Sequence, residues 1–329
     1  MEVLKRIKVI PVAAESLGTR SMCTSVETPD IRVLLDAGVS LCPNRFGLPP
    51  HPTEFKKITE ARRLVAQASR KAEVVTLSHY HYDHHTPSFE DWLVNWTESD
   101  ETARQIYQDK AILAKNPREN VNFSQRERGW MFGRTGGKYA KEIINADGKQ
   151  FTFGRTNLRF SEPVFHGPES SELGWVLMVT VEVEDERFMF APDVQGPMSN
   201  RPLQIIEKEN PQLLMIGGPP LYLSPLKVSE NQLQIGLKNL NEIVKKIPHV
   251  ILDHHIIRDE NWQDKAMKVI YDTYKSDSTL QTAAEFLGKK NTPLEAQRKK
   301  LFTEDPPSQE FEKWMKTNEE AKRHTRPPI

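Results

Sequence analysis

Within the eight residues Ser78-His79-Tyr80-His81-Tyr82-Asp83-His84-His85 the chain places four imidazoles and one carboxylate. Both groups are suitable ligands for zinc and similar divalent ions. In an extended segment the alternation His79-x-His81 puts two rings on one side. Asp83 and His84 follow a turn and can face elsewhere. Four such groups within six residues (His79, His81, Asp83, His84) cannot easily wrap one tetrahedral metal, so two adjacent ions are the natural arrangement. The plain alternative is a histidine-rich surface loop. With 10 histidines in the chain, so ordered a pattern argues against accident.

More candidate ligands close short apolar runs. Asp36 follows Ile31 to Leu35. His166 stands in Phe165-His166-Gly167-Pro168, Asp193 in Phe190-Ala191-Pro192-Asp193, and His254 and His255 after Val250-Ile251-Leu252-Asp253. Ligands in open α/β sheets gather at strand ends. His249 precedes its run and reads as structural; His51, in a proline-dense loop, reads as solvent-facing.

The positioning elements follow from periodicity and punctuation. Ile7 to Ala13 reads as a first strand, Glu54 to Ala72 as a helix, and Val74 to Leu77 as the strand that delivers the histidine run. Ser88 to Asn120 reads as helical, with Trp92 and Trp96 at i, i+4 as core packing. Val121 to Tyr139 is basic and glycine-containing. From Lys149 the pattern turns to strands, including a hairpin around Glu184-Asp185-Glu186 and buried runs at Leu213 to Ile216 and Val250 to Leu252, with helix around Gln232 to Lys246. Beyond Trp262 the chain reads as helical and then charged. The expected organisation is one domain over 1–260, carrying a helical, basic insertion at about 88–145, and a helical C-terminal extension over 261–329.

Composition narrows the function classes. A net charge of zero gives no general attraction to nucleic acid or anionic membrane, and no nucleic-acid module is recognisable. The two cysteines, Cys23 and Cys42, form no disulfide framework and read as small buried hydrophobes. No run has the length of a membrane span, and Lys5, Arg6 and Lys8 interrupt any secretion signal. These features suggest a cytoplasmic protein acting on a small molecule or nucleotide, with no membrane and no long nucleic acid as partner. Oligomeric state has no signature here.

The succession Asp36, His79-x-His81-x-Asp83-His84, His166, Asp193, His254 resembles the metallo-β-lactamase superfamily, which carries these elements in this order. More narrowly, Ser78 to Pro87, Ala191-Pro192-Asp193-Val194-Gln195-Gly196-Pro197 and Leu252-Asp253-His254-His255 resemble an uncharacterised archaeal group of predicted metallo-β-lactamase-fold hydrolases. The resemblance implies an α/β fold, a four-layer αββα sandwich, here with a helical C-terminal appendage. It assigns one ion to His79, His81 and His166, and the other to Asp83, His84 and a final histidine, with Asp193 bridging. His254 is preferred as that histidine because it follows its strand as His79 follows its own; His255 is the alternative. Asp36 would hold the histidine loop from behind. The triplet Asp253-His254-His255 is also similar to the signature of DHH phosphoesterases, but the early aspartate-rich motifs of that family are missing.

The activity implied is hydrolysis by a hydroxide that two divalent ions activate. Zinc suits the histidines, with manganese or iron as alternatives. Asp83 would orient the nucleophile, and Tyr222, after Gly217-Gly218-Pro219-Pro220, is placed to enter the site. Arg126 and Arg128, with Arg134 and Lys138 near them, and Arg20 in the first loop suit phosphate or carboxylate. A phosphodiester or nucleotide is therefore the expected substrate, with a thioester or lactone as alternative. A non-catalytic metal-binding protein is a third possibility, which metal stoichiometry separates from the others.

Overall fold

The computed structural model describes residues 3–95, 99–169, 171–223, 227–270 and 279–329. Six strands form a first sheet in sequential order: β1 (Lys8–Pro11), β2 (Thr24–Glu27), β3 (Arg32–Leu35), β4 (Val74–Leu77), β5 (Ala111–Ala114) and β6 (Glu142–Asn145). β1 to β3 are antiparallel and β3 to β6 run parallel. Later strands are β7 (Gln150–Phe153), β8 (Thr156–Phe160), β9 (Val164–Phe165), β10 (Trp175–Val176), β11 (Val179–Val183), β12 (Glu186–Ala191), β13 (Leu213–Gly217), β14 (His249–Asp253) and β15 (Thr279–Gln281). All but the β9–β10 ribbon join a second sheet, ordered β15-β14-β13-β12-β11-β8-β7 and parallel from β12 to β15.

Side chains alternate across each strand, and that sorts them into three cores. Val33 and Leu35 of β3 pack between the sheets with Phe188 and Phe190 of β12 and Met215 of β13. Leu34 faces the other way, with Val75, Leu77 and Ile112, onto the helices α1 (Pro52–Lys71) and α2 (Ser99–Tyr107) through Phe55, Ile58, Val65 and Ile106. Met189, Leu214 and Ile216 pack outward against α4 (Asn200–Glu209), α5 (Glu230–Lys246) and α6 (Trp262–Ile270), which follow α3 (Phe123–Arg134) in the chain. The layering is the αββα sandwich that the resemblance implied. The parallel strands set the ends of β3, β4, β12, β13 and β14 on one edge. No helix among the described residues is long and apolar enough to cross a membrane.

Three expectations need correction. The stretch 88–145 is not a helical insertion, because it supplies β5 and β6. Ala111-Ile112-Leu113-Ala114 is a short apolar run, and such a run reads equally as buried helix or strand. Trp92 is partly buried against the outer core of the first sheet; Trp96 lies outside the described residues. The stretch 261–329 carries helices, as expected, but it is built into the domain rather than appended to it. β15 pairs with β14, and α7 (Ala283–Phe286) follows it directly. After α8 (Arg298–Glu304), α9 (Gln309–Met315) sets Phe311 and Trp314 against Phe55 of α1, and α10 (Glu319–His324) follows. Buried Arg298 clasps Glu54 with two hydrogen bonds of 2.8 and 2.7 Å.

His51 is the third correction. It is 1% exposed and caps α1, accepting from the Thr53 amide while Glu54 accepts from the His51 amide. This reciprocal cap explains why the helix starts there. Its Nε2 lies 2.9 Å from the Asp305 carbonyl. His249 is structural as expected, 2.7 Å from the Thr279 hydroxyl. Cys23 and Cys42 are both buried free thiols.

Candidate metal centre

β3 ends in Asp36 and β4 in Ser78-His79, so neighbouring parallel strands deliver an acid and the histidine loop side by side. Asp36 is fully buried. Its Oδ1 accepts from the Ser78 amide at 2.8 Å, and its Oδ2 accepts from the Ser78 hydroxyl and from His84 Nδ1, the latter at 2.8 Å. Because Ser78 spends its proton on Asp36, its oxygen accepts from His79 Nδ1, 3.0 Å away. One carboxylate thus orients two imidazoles and, when both are neutral, leaves their Nε2 lone pairs bare. The loop is tied down further by Tyr80, whose hydroxyl donates to the Lys115 carbonyl at 2.6 Å. Gly38 packs directly under the backbone of His84 and His85; a Cβ there would stand 2.2 Å from the His85 nitrogen.

Those bare nitrogens point at Asp193, which β12 delivers and which is 1% exposed. Its Oδ2 lies 3.1 Å from His79 Nε2, 3.2 Å from His84 Nε2, 2.9 Å from His166 Nε2 and 4.0 Å from His81 Nδ1. Its Oδ1 lies 2.9 Å from His254 Nε2 and 3.2 Å from His255 Nε2. Yet both Asp193 oxygens, His79 Nε2 and His166 Nε2 are buried without a hydrogen-bond partner. Acceptors facing acceptors in a dry interior repel unless a cation lies between them. The donor set therefore fits divalent ions. Among the described residues, the atoms close enough to share an ion form overlapping groups: His79, His81, His166 and Asp193; Asp83, His84 and His254; Asp193, His254 and His255; and Asp36, His79 and His84.

Arg258 stands against both final histidines. Its guanidinium lies 3.4 Å from each ring nitrogen of His254 and 3.3 Å from His255 Nδ1. His254 Nδ1 also lies 3.6 Å from the Glu15 carboxylate, and His255 Nδ1 3.5 Å from the Tyr222 hydroxyl. Position separates the two: both reach Asp193, but among the described residues His254 alone also groups with Asp83 and His84.

The backbone is strained where the site needs it. Asp36 (φ 48°), Asp193 (φ 48°), Gln195 (φ 57°) and His254 (φ 67°) all adopt left-handed conformations. Each costs about 1–3 kcal/mol, so the surrounding packing must over-determine these positions.

The electrostatics favour uncharged imidazole. Burial pushes His81 down to about 4 and His85 to about 3, and holds His79, His254 and His255 below the ordinary value. His84 is the exception. Burial opposes its charge, but the carboxylates of Asp193, Asp36 and Asp83 win and hold it well above the usual range. A folded-state value below the unfolded one favours folding above about pH 6.5 and loses that contribution as pH falls. With five imidazoles shifted down and one up, the metal-free protein should lose thermal stability between about pH 6.5 and 4. Calorimetric melts across that range would show it, and a flat Tm would refute it.

The other expected site residues lie at varied distances from this cluster. Tyr222 reaches it through His255. Arg128 is half-buried and lies 4.6 Å over the Tyr82 ring, and Arg126 is exposed on α3. Arg20 is not available to a substrate in this arrangement. Its guanidinium is spent on Glu295, with hydrogen bonds of 2.5 and 2.7 Å. This corrects the expectation, and the reason is a partner 275 residues away in sequence.

A UPF0282 protein of Methanopyrus kandleri is 42% identical over 299 residues, covering 91% of this chain and 100% of its own length. One of Thermococcus gammatolerans is 44% identical, covering 90% and 95%. The chain belongs to the UPF0282 family. No protein-family model matches it. Among solved structures it is similar to the metallo-beta-lactamase fold protein YhfI of Bacillus subtilis (TM-score 0.46, 13% identity, 85% of this chain and 98% of that one). It is also similar to Tm1679, described as a metal-dependent hydrolase of the beta-lactamase superfamily (TM-score 0.46, 13% identity, 85% and 97%).

In this UPF0282 chain several residues that matter carry no motif. Arg258 is 3% exposed; it donates to Glu15 at 2.5 Å and to Asp83 at 3.1 Å. It thereby fixes the carboxylate of Asp83 from behind. Gln195 stands 3.3 Å from His166 Nδ1, and its Oε1 lacks a partner. With the amide turned over, that oxygen accepts the Nδ1 proton and leaves His166 Nε2 bare toward Asp193.

Proposed function

We propose that this UPF0282 protein is a metal-dependent hydrolase holding two divalent ions. His79, His81 and His166 would hold one, Asp83, His84 and His254 the other, with Asp193 between them. The observation that supports this most is the partnerless Asp193 carboxylate, ringed by imidazole nitrogens on both of its oxygens. A pair of ions held there would supply a water of lowered pKa and polarise the bond under attack.

The chain's own groups do the rest. Asp36 orients the histidine loop, and Arg258 keeps Asp83 ionised and aimed. Among the ligands, His81 has the most open side chain, 21% exposed, so substrate approaches over His81 rather than over fully buried His79. The Tyr222 hydroxyl, beside His255 and Arg258, is placed to hold a proton at the edge of the cluster.

Imidazole-rich sites suit zinc, and two carboxylates also admit manganese or iron. Elemental analysis should find two ions per chain. The loaded protein should hydrolyse at least one of bis-p-nitrophenyl phosphate, cyclic nucleotides, thioesters and lactones. A single tightly held ion with no turnover on any of them would instead indicate a structural metal site.

A further inference from the structure

Beside the histidine cluster lies a cavity of about 390 Å³, whose walls include Arg45, Tyr222, Arg258, Lys265, Lys299 and Lys300. Two of these walls are shared with the cluster, since Tyr222 and Arg258 both touch His255 Nδ1 and Arg258 also touches Asp83. The cavity therefore ends one side chain short of the candidate ligands. Its volume is in the range of small-molecule sites.

Its charge is not balanced. Five cations line it against two carboxylates, Asp259 and Glu260. Asp259 is taken by Lys265 at 2.5 Å, and Arg258 is answered by Glu15 and Asp83. Arg45 shares Glu295 with Arg20; its Nε lies 3.9 Å from that carboxylate and is buried without a hydrogen bond. Lys299 has no carboxylate within ion-pair reach among the described residues; its Nζ stands 4.8 Å over the Phe46 ring. Lys300 is 3.9 Å from Glu304. The Arg45 guanidinium is held between the rings of Phe46, 4.5 Å away, and Tyr222, 4.3 Å away, and donates to the Arg258 carbonyl at 2.9 Å. A stacked guanidinium keeps a fixed fork of donors, which suits a planar or tetrahedral oxyanion. A concave wall with an excess of one sign also concentrates its field.

We propose that this cavity receives a carboxylate or phosphate at the non-reacting end of the substrate, so that the protein acts on small esters carrying a remote oxyanion. The proposal rests on the hydrolase reading for the word substrate, but not for the anion site itself. It places the recognising charges on Arg45, Lys299 and Lys300.

The test is calorimetric titration of inorganic phosphate and, separately, succinate into the metal-loaded full chain. The comparison protein carries Lys299→Glu and Lys300→Glu, both on exposed positions, with Lys299→Gln as a milder variant; melting curves and metal content control for folding. The expected result is that at least one anion binds the wild type and loses tenfold or more in affinity in the double variant, with a smaller loss in Lys299→Gln. Whichever anion binds tells phosphate from carboxylate. Equal affinity in wild type and variants would mean that the metal cluster alone holds the anion, and would overturn the proposal, as would no binding of either anion to the wild type. Metal content and turnover are read independently. A chain that binds succinate through Lys299 and Lys300 but holds no ions keeps the anion site and sinks the hydrolase.

Discussion

Asp193→Ala is expected to leave the fold intact, to reduce bound metal from two ions per chain to one or none, and to abolish metal-dependent turnover. The argument is geometric. Both oxygens of Asp193 serve the cluster, Oδ2 facing His79, His84 and His166 and Oδ1 facing His254 and His255. Outer partners of metal ligands alone are worth about 10–100-fold in affinity or activity. Removing a carboxylate that stands between two ions should therefore cost at least about 100-fold. Asp193→Asn keeps the shape but removes the charge, and should fall between wild type and alanine in metal content. Elemental analysis with melting curves decides the matter. An alanine variant with two ions and undiminished turnover would remove the basis of the proposed function.

The second large effect is expected at a residue with no functional group. A methyl at Gly38 would lie 2.2 Å from the His85 nitrogen, 2.4 Å from the His84 carbonyl carbon and 2.6 Å from the His84 nitrogen. These are backbone atoms, which cannot swing aside as a side-chain tip can. The loop must move, and with it His79, His81, Asp83 and His84. Gly38→Ala should cost about 3 kcal/mol or more, at the upper end of overpacking penalties, and should lower metal content at the same time. Gly133, inside α3, is the matched control, because a Cβ there meets nothing within 4 Å. Gly133→Ala should stabilise the protein by about 0.5–1 kcal/mol through helix propensity. Equal melting temperatures for the two variants would show that the close packing at Gly38 is not what positions the loop.

What could be read from the chain beforehand follows one rule. A ligand at the end of an apolar run is visible because the run marks a strand and the strand fixes where its end lies. Asp36, His79, His166, Asp193 and His254 are all of that kind, and the structure brings them within a few ångströms of Asp193 or of each other. Arg258, Glu15 and Gln195 are invisible by the same rule, since a lone polar residue has no periodicity and its partner is distant; Glu15 and Arg258 are 243 positions apart. Arg20 shows the converse, a cation suited to a substrate but committed to Glu295 by the fold. The strand Thr279–Gln281 is three residues long and partly polar, so nothing in it alternates; only its pairing with His249 to Ile251 makes it a strand.

Asp253 joins three parts of the chain. Its Oδ1 accepts from the amides of Ser16 and His254, and its Oδ2 from the amide of Ala283. During synthesis all the candidate ligands emerge with His255, yet the carboxylate that holds the His254 turn waits for an amide 30 residues later. The helix that carries Glu54 waits longer still, for Arg298. A shortened protein ending soon after residue 258 would keep every candidate ligand but lack the Ala283 amide and Arg298, and is expected to bind metal more weakly than the full chain.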